Sequence, residues 1–296
     1  MDKIHLVIFS RNRAAQLDLL IRSLAINCPQ LFNIYVIYRA DSDDFITGYN
    51  LLCSESAYYF PNSINWLPQN SLKEDFIQSC NENYTLTCLG TDDCVFYRKC
   101  QIQPSQIENL FNNDKRLLTF SFRLGENTIV QNYVTGQRQP PLSRYNPQKY
   151  STSFGENILI WNYNLCNSQL NYGYPYSYDF HCYKTSVLVD IIRRFETLPD
   201  LRSWEGCLCN PDNRTRMGIN PLINRMASFE HSYVVNVPIN SVQDVKIPLG
   251  AKHQLSPEEL NQRFLDGERL SILCMDSIDI VGAHQDIPLI FESKSN

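Results

Sequence analysis

Two adjacent carboxylates, Asp92 and Asp93, follow the apolar run Tyr84-Thr85-Leu86-Thr87-Cys88-Leu89 with only Gly90 and Thr91 between. Such a run reads as a buried strand, so the pair falls at a strand's carboxyl end, where open α/β sheets bind their ligands. Neighbouring side chains there point different ways. One carboxylate can take a divalent cation while the other accepts hydrogen bonds from a sugar or ribose hydroxyl. A hard cation held by one or two protein carboxylates completes its shell with water and substrate phosphates, which suits a nucleotide diphosphate. A solvated turn, with Asp92 or Asp93 capping the next segment, has the same sequence.

Other chemistries are removed by what the chain lacks. The first strand ends in Ser10-Arg11-Asn12-Arg13, without glycine, and neither G-x-G-x-x-G nor G-x-x-x-x-G-K-[ST] occurs anywhere. Those glycines let backbone approach a phosphate closely, so NAD and P-loop ATP chemistry are disfavoured. G-x-S-x-G and H-E-x-x-H are absent too, which removes the common hydrolase motifs.

Composition narrows the class further. With 296 residues, 43% of them hydrophobic, the chain can bury a sizeable core. The 26 basic residues are outnumbered by 31 acidic ones, so no general basic field exists to collect nucleic acid, and none is expected as a partner. No apolar run reaches the length of a transmembrane segment, and Ile4 to Phe9 is too short for a signal peptide, so a cytoplasmic location is expected. The eleven cysteines lack paired C-x-x-C spacing and are expected to be free, mostly buried thiols.

The elements that must position Asp92 and Asp93 alternate along the first hundred residues. Ile4 to Phe9 reads as a strand; Leu17, Leu20, Ile21 and Leu24 then recur at helical spacing. Asn33 to Tyr38 is a second strand, and Asp41-Ser42-Asp43-Asp44 offers capping oxygens to a helix over Phe45 to Cys53. A third strand is expected within Tyr58 to Trp66, interrupted by Pro61, and an amphipathic helix over Ser71 to Cys80. The pattern predicts an α/β fold, a mostly parallel twisted sheet covered by helices on both faces.

Beyond Cys100 the pattern loosens. Strands are expected at Leu117 to Phe122, Thr128 to Val134 and Tyr233 to Val237, and helices at Thr185 to Phe195, Asn220 to Ala227 and from Ser256-Pro257 onward. Gln137 to Tyr150, rich in Pro, Arg and Gln, reads as a mobile loop. With no repeat and no Gly/Ser linker, one domain over residues 1–296 is expected, regular in its first half and irregular in its second.

The order strand, Ser10-Arg11-Asn12-Arg13, helix, strand, Tyr38-Arg39-Ala40-Asp41-Ser42-Asp43-Asp44, helix, strand, helix, strand, Leu89-Gly90-Thr91-Asp92-Asp93-Cys94-Val95-Phe96 resembles the nucleotide-binding half of GT-A fold glycosyltransferases. Family-2-like members are the nearest in pattern, and the resemblance covers residues 4–100. It implies a GT-A-like, Rossmann-like fold, with residues 1–100 binding a nucleotide-diphospho-sugar and 101–296 the acceptor. It also implies Mn or Mg at the DXD-like motif and transfer of the sugar, with inversion, to a glycan, lipid-linked or small-molecule acceptor hydroxyl. Carried over by position, Ser10, Arg11, Asn12 and Arg13 line the nucleotide pocket, Asp41 lies near the base, Asp92 serves the donor and Asp93 holds the metal. The segment from Asn236 to Gln243 and the tail from Ser256 are similar to the endings of uncharacterised GT-A-like proteins.

An inverting transfer needs a carboxylate to deprotonate the acceptor hydroxyl. Glu205, beside Trp204 in Arg202-Ser203-Trp204-Glu205-Gly206, is the first candidate, with the indole available to exclude water and stack on a sugar. Asp179 is the second, in a segment whose Tyr172, Tyr174, Tyr176 and Tyr178 form either a carbohydrate-binding surface or ordinary packing. His284 corresponds to a late histidine that some GT-A enzymes use as a further metal or diphosphate ligand. Thr91 stands where the family has its first acidic residue, which keeps open a second reading: a GT-A-like binding or scaffold protein that has lost catalysis.

Overall fold

The computed structural model describes residues 3–61, 63–80, 83–132, 134–240, 255–275 and 278–293. The first half alternates as the pattern requires: β1 (Ile4–Arg11), α1 (Ala14–Asn27), β2 (Phe32–Arg39), α2 (Asp43–Tyr59), β3 (Ile64–Pro68), α3 (Leu72–Ser79), β4 (Leu86–Thr91) and β5 (Cys94–Phe96). There follow α4 (Pro104–Asn113), β6 (Leu117–Ser121), β7 (Val130–Asn132), β8 (Gln137–Arg138), β9 (Gln148–Ser151), β10 (Asn157–Asn162), β11 (His181–Lys184) and α5 (Thr185–Arg193). The remainder comprises α6 (Leu201–Cys209), α7 (Pro211–Arg216), β12 (Arg225–Phe229), β13 (Val234–Asn236), α8 (Pro257–Leu265), β14 (Glu268–Leu270) and β15 (Phe291–Ser293).

Nine strands form one sheet in the order β3-β2-β1-β4-β11-β6-β12-β10-β9. Seven run one way; β11 and β10 are antiparallel to their neighbours. Alternation along β1 divides the apolar residues between two cores. Ile4, Leu6 and Ile8 pack with the α1 side chains Leu17, Leu20 and Ile21, whereas Val7 and Phe9 pack with Phe76 of α3 and Leu188 of α5. A strand buried on both faces is largely apolar, as β1 and β4 are, and the polar residues within them, His5 and Thr87, are buried with hydrogen-bond partners in the Ser79 carbonyl and the Thr185 hydroxyl.

β11 matters most for the site. It lies between β4 and β6 and opposes both, with His181 level with Leu89 on one side and Ser121 on the other. The residues entering β11 are therefore carried alongside the carboxyl ends of β4 and β6. Asp179 comes level with Thr91 and Arg123 for this reason.

Several expectations are corrected. The third strand does not begin at Tyr58: α2 continues to Tyr59, and β3 starts at Ile64, beyond Pro61, which cannot extend a helix. Asn220 to Ala227 is not a helix; its end belongs to β12, paired with β6 and β10, where hydrogen bonding and burial on both sides override weak local propensity. Gln137 to Tyr150 is not a plain loop, since β8 pairs with β7 and β9 with β10. The second half as a whole is less irregular than expected, as it supplies five strands of the main sheet. Ser256 caps α8 as expected, accepting from Glu259 N at 3.1 Å. Of the segment running from Asn236 to Gln243, residues 241–243 lie outside the described residues.

Candidate active site

The parallel strands end side by side. Arg11 is level with Arg39, Tyr38 with Pro68, and Phe9 with Thr91, so a row of chemically distinct groups runs along one sheet edge. A cleft of about 480 Å³ opens over this edge. Ser10, Arg11, Arg13, Asp92, Asp93, Asp179 and His284 all line it, from segments far apart in the chain.

Arg13 anchors the acidic pair. Its Nη1 donates to Asp92 Oδ1 at 3.0 Å and lies 3.5 Å from Asp93 Oδ2. Its Nε donates to Asn240 Oδ1 at 2.8 Å, and Nη2 donates to the Asn240 carbonyl. Asp92 also accepts from the Arg11 backbone N–H at 3.2 Å. Burial pushes the Asp92 carboxyl up to about 6 against the pull of Arg13, with the neighbouring Asp93 charge adding to the rise. Asp92 is thus a buried carboxylate that organises the loop after β1. Asp93 reaches further into the cleft, with its Oδ1 accepting from Asn236 Nδ2 at 3.2 Å.

Asp179 sits at the centre of a second group. Thr91 Oγ1 donates to Asp179 Oδ1 at 2.8 Å, and Arg123 Nη1 lies 3.0 Å from Asp179 Oδ2. His284 Nε2 is 3.8 Å from that same oxygen. Burial works to raise Asp179, but the Arg123 guanidinium, then His284, outweigh it and hold the carboxyl below its ordinary range. Burial, reinforced by Arg123, lowers His284 against the opposing charges of Asp179 and Asp93.

One potential cation cluster occurs among the described residues. Ligand atoms of Asp93, Cys94 and Asp179 lie within 4.8 Å of one another. The donor set fits a hard cation through its two carboxylates. The Cys94 thiol, pushed well above its usual range by burial and then by the Asp179 and Asp93 charges, stays protonated and adds no hard ligand. His284 stands outside this cluster, next to Asp179.

Glu205 lies on α6, one turn beyond Leu201 and Arg202, which line the cleft. It is half-buried, and burial, then the Asp179 charge, push its carboxyl up to about 8 against the nearby Ser177 hydroxyl and Arg123. Trp204 is a correction: its ring is fully buried, edge-on to Phe76 and Tyr176, and offers no face to a sugar. Helical geometry turns residues 204 and 205 in different directions, so only one of them can face the core. The tyrosine series also divides, with Tyr172 and Tyr176 in the core and Tyr178 in the cleft wall.

Asn12 and Asp41 bond to each other. Asn12, in the left-handed region at φ 56°, accepts from Asp41 N at 2.9 Å and donates to Asp41 Oδ2 at 2.9 Å. The Asp41 carboxylate also accepts from Arg11 Nε at 2.8 Å and Arg39 Nε at 2.7 Å. These bonds hold the carboxylate below its ordinary range although burial opposes them. Asp41 therefore ties the loop after β1 to the loop after β2, and Arg39 and Gln69 join Arg11 in the cleft wall.

Sequence reasoning missed Arg123, Asn236, Asn240 and Gln69. Arg123 follows an apolar strand, as Ser10-Arg11 does, and that position was a usable signal. The two asparagines of Asn236-Val237-Pro238-Ile239-Asn240 carry none, because only the fold brings them to β4 and α1.

No protein-family model and no curated protein matches the chain. Solved structures are similar at low identity. S. aureus TarS is 12% identical, covering 80% of this chain and 37% of that one, with a TM-score of 0.41. S. aureus TarS 1–349 in complex with UDP-GlcNAc is 13% identical, covering 88% of this chain and 63% of that one, with a TM-score of 0.40. Core-mannan synthase A from Aspergillus fumigatus in its Mn/GDP form is 10% identical, covering 88% and 82%, with a TM-score of 0.34. The chain thus spans between 37% and 63% of the length of these TarS structures.

Proposed function

We propose that this chain is a glycosyltransferase that moves a sugar from a nucleotide-diphospho-sugar to an acceptor hydroxyl. One observation carries the reading. A single cleft runs from the donor-rich ends of β1 and β2, past the anchored pair Asp92 and Asp93, to Asp179 and His284. That sequence of groups matches a base, a diphosphate with its cation, and a reacting sugar laid along the sheet edge.

Asp93 and Asp179 would hold the divalent cation, Mn or Mg, with His284 as a further ligand to the cation or the diphosphate. A cation bound there supplies charge compensation to a departing diphosphate. Arg13 fixes Asp92 and Asp93 so that no reorganisation is needed when charge develops. Arg11 and Ser10 bind and orient the nucleotide. Glu205, ionised, would take the proton of the acceptor hydroxyl at its carboxylate, since a carboxylate with a raised pKa is the stronger base; Asp179, the other candidate base, is held below its ordinary range by Arg123 and would serve the cation instead. Attack from the face opposite the leaving diphosphate gives inversion.

A second reading, a binding or scaffold protein without catalysis, is favoured by Thr91 at the first acidic position and by Arg123 paired with Asp179. Thermal unfolding with UDP, GDP, dTDP and CMP and their sugars, with and without Mn, separates the two. Under the transferase reading one nucleotide class raises the midpoint in a manganese-dependent way, and Asp93→Ala loses the shift. A ligand at about 100 times its Kd adds about 2.7 kcal/mol, well within detection. No shift with any nucleotide would favour the scaffold.

Among the described residues, no helix is long and apolar enough to cross a membrane.

A further inference from the structure

We propose that a second cavity, at the end of the sheet opposite the cleft, binds a phosphate monoester of a sugar, with Lys184 and Lys115 holding the phosphate and Tyr84 and α5 flanking the organic part. The site lies outside the transferase reading and does not depend on it.

Position sets it apart. Because β11 runs antiparallel to β4, Lys184 comes level with Leu86, at the opposite end of β4 from Asp92. Thr85 and Asp92 are separated by the length of that strand, about 20 Å at the usual rise per residue. The cavity there measures about 430 Å³, room for a small organic ligand rather than a bare ion. Ser186, Val189 and Arg193 line it at helical spacing, so it runs along α5 for about 10 Å.

The wall carries one sign of charge. Lys184 and Arg193 line the cavity, and among the described residues no carboxylate does. Burial, then the charge of Lys115, lower the Lys184 ammonium below its ordinary range, so two lysines lie close enough to repel. No acid answers them. Asp114, next to Lys115 in the chain, is held by Arg225 at 2.8 Å, and Glu108, whose charge reaches Cys182 on β11, is absent from the cavity wall. In a chain of net charge -5, cations left together without a carboxylate are suited to an incoming anion.

Neutral groups complete the fit. Thr185 spends its N–H on the Thr85 carbonyl at 3.0 Å and shares its hydroxyl with Thr87 Oγ1 at 2.9 Å, so the first residue of α5 is already satisfied. The side chains of Thr85, Asn112 and Ser186 line the cavity without a protein partner among the described residues. Their hydroxyls and amide can donate to phosphate or sugar oxygens. Tyr84 stacks on the buried His5 ring, with centroids 4.9 Å apart and planes 19° apart, which braces one face and leaves the rest of the ring to the cavity. A fixed aromatic wall beside a row of donors suits a sugar ring, apolar on its faces and polar at its rim.

The test is calorimetric titration with glucose 6-phosphate, inorganic phosphate and glucose, without added divalent cation, on the wild type, Lys184→Gln, Lys184→Gln/Lys115→Gln and Arg11→Gln. Glucose 6-phosphate is expected to bind the wild type, with inorganic phosphate at least about tenfold weaker and glucose without measurable heat. Lys184→Gln is expected to weaken glucose 6-phosphate at least about tenfold, the usual effect of losing a charged hydrogen bond, and the double variant to abolish its binding. Arg11→Gln, altered in the cleft, should bind it as the wild type does. Thermal unfolding midpoints close to the wild type's show that the lysine variants are folded. Binding kept by the double variant and lost in Arg11→Gln places the ligand in the cleft and overturns the second site. Inorganic phosphate binding as tightly as glucose 6-phosphate overturns the monoester assignment, since the organic part would then contribute nothing. Binding of neither phosphate compound overturns the proposal as a whole.

Discussion

Arg123 Nη1 lies 3.0 Å from Asp179 Oδ2, with the two side chains only 4% and 9% exposed. A carboxylate that faces the cleft is thus compensated from beneath by a cation the protein supplies. The same guanidinium lies 3.5 Å from His284 and 3.4 Å from both Asn236 Oδ1 and Ser177 Oγ, so one side chain joins β6 to three other segments.

Removing that guanidinium strands a buried negative charge. Arg123→Met is expected to lose about 3–5 kcal/mol of stability, the usual result of breaking a buried ion pair from one side. The double variant Arg123→Met/Asp179→Asn should recover much of the loss. Urea denaturation of the four members of this cycle checks both, and an additive double variant would show that the pair is not coupled.

Glu205 gives the clearest pH signature. Its folded carboxyl is raised to about 8 from an ordinary 4.5, so the folded state holds a proton that the unfolded state has lost between those pH values. Its contribution to stability is complete below about 4.5 and declines as pH rises to about 8. Glu205→Gln should therefore leave the midpoint nearly unchanged at pH 5 and raise it at pH 8.5 relative to the wild type. If Glu205 is the base, transfer by the wild type rises with pH to an inflection near 8, and the variant loses at least 100-fold in rate.

Asp92 and Asp93 are adjacent but should fail differently. Asp92→Ala removes the acceptor of Arg13 and of the Arg11 backbone N–H, and about 3 kcal/mol of stability should go with it. Asp93→Ala, more exposed and less tightly bonded, should lose no more than about 1 kcal/mol while abolishing any manganese-dependent nucleotide binding. Chemical denaturation paired with nucleotide titration separates the two; equal losses in both assays would contradict the division of roles.

Asn12 is held in the left-handed region, where a residue other than glycine is strained by about 1–2 kcal/mol. Asn12→Gly keeps the backbone and loses the two side-chain bonds to Asp41, whereas Asn12→Val loses both. The valine variant should be the less stable of the two by at least about 1 kcal/mol in urea, and nucleotide binding should weaken in both as the loops after β1 and β2 come apart.

The alternating first half, the sheet it builds and the place of Asp92 and Asp93 at a strand end were legible in the sequence. Local rules suffice there: apolar runs of strand length, helical periodicity and capping residues fix each element, and parallel strands covered on both faces have few arrangements. Asp179 and Glu205 could be named as candidates because a carboxylate near aromatics is visible in a string of letters.

What those carboxylates contact could not be read. Asp179 meets Arg123 because β11 inserts antiparallel between β4 and β6, a pairing set by the whole sheet rather than by any segment. Asn240 reaches Arg13 across 227 positions of chain, and the burial of Trp204 follows from which face of α6 meets α3. The sequence by itself determined which groups can do chemistry and which strands carry the first of them. Only the tertiary structure decided which charges share a cleft, because electrostatic coupling and desolvation depend on distances in space that local propensity does not encode.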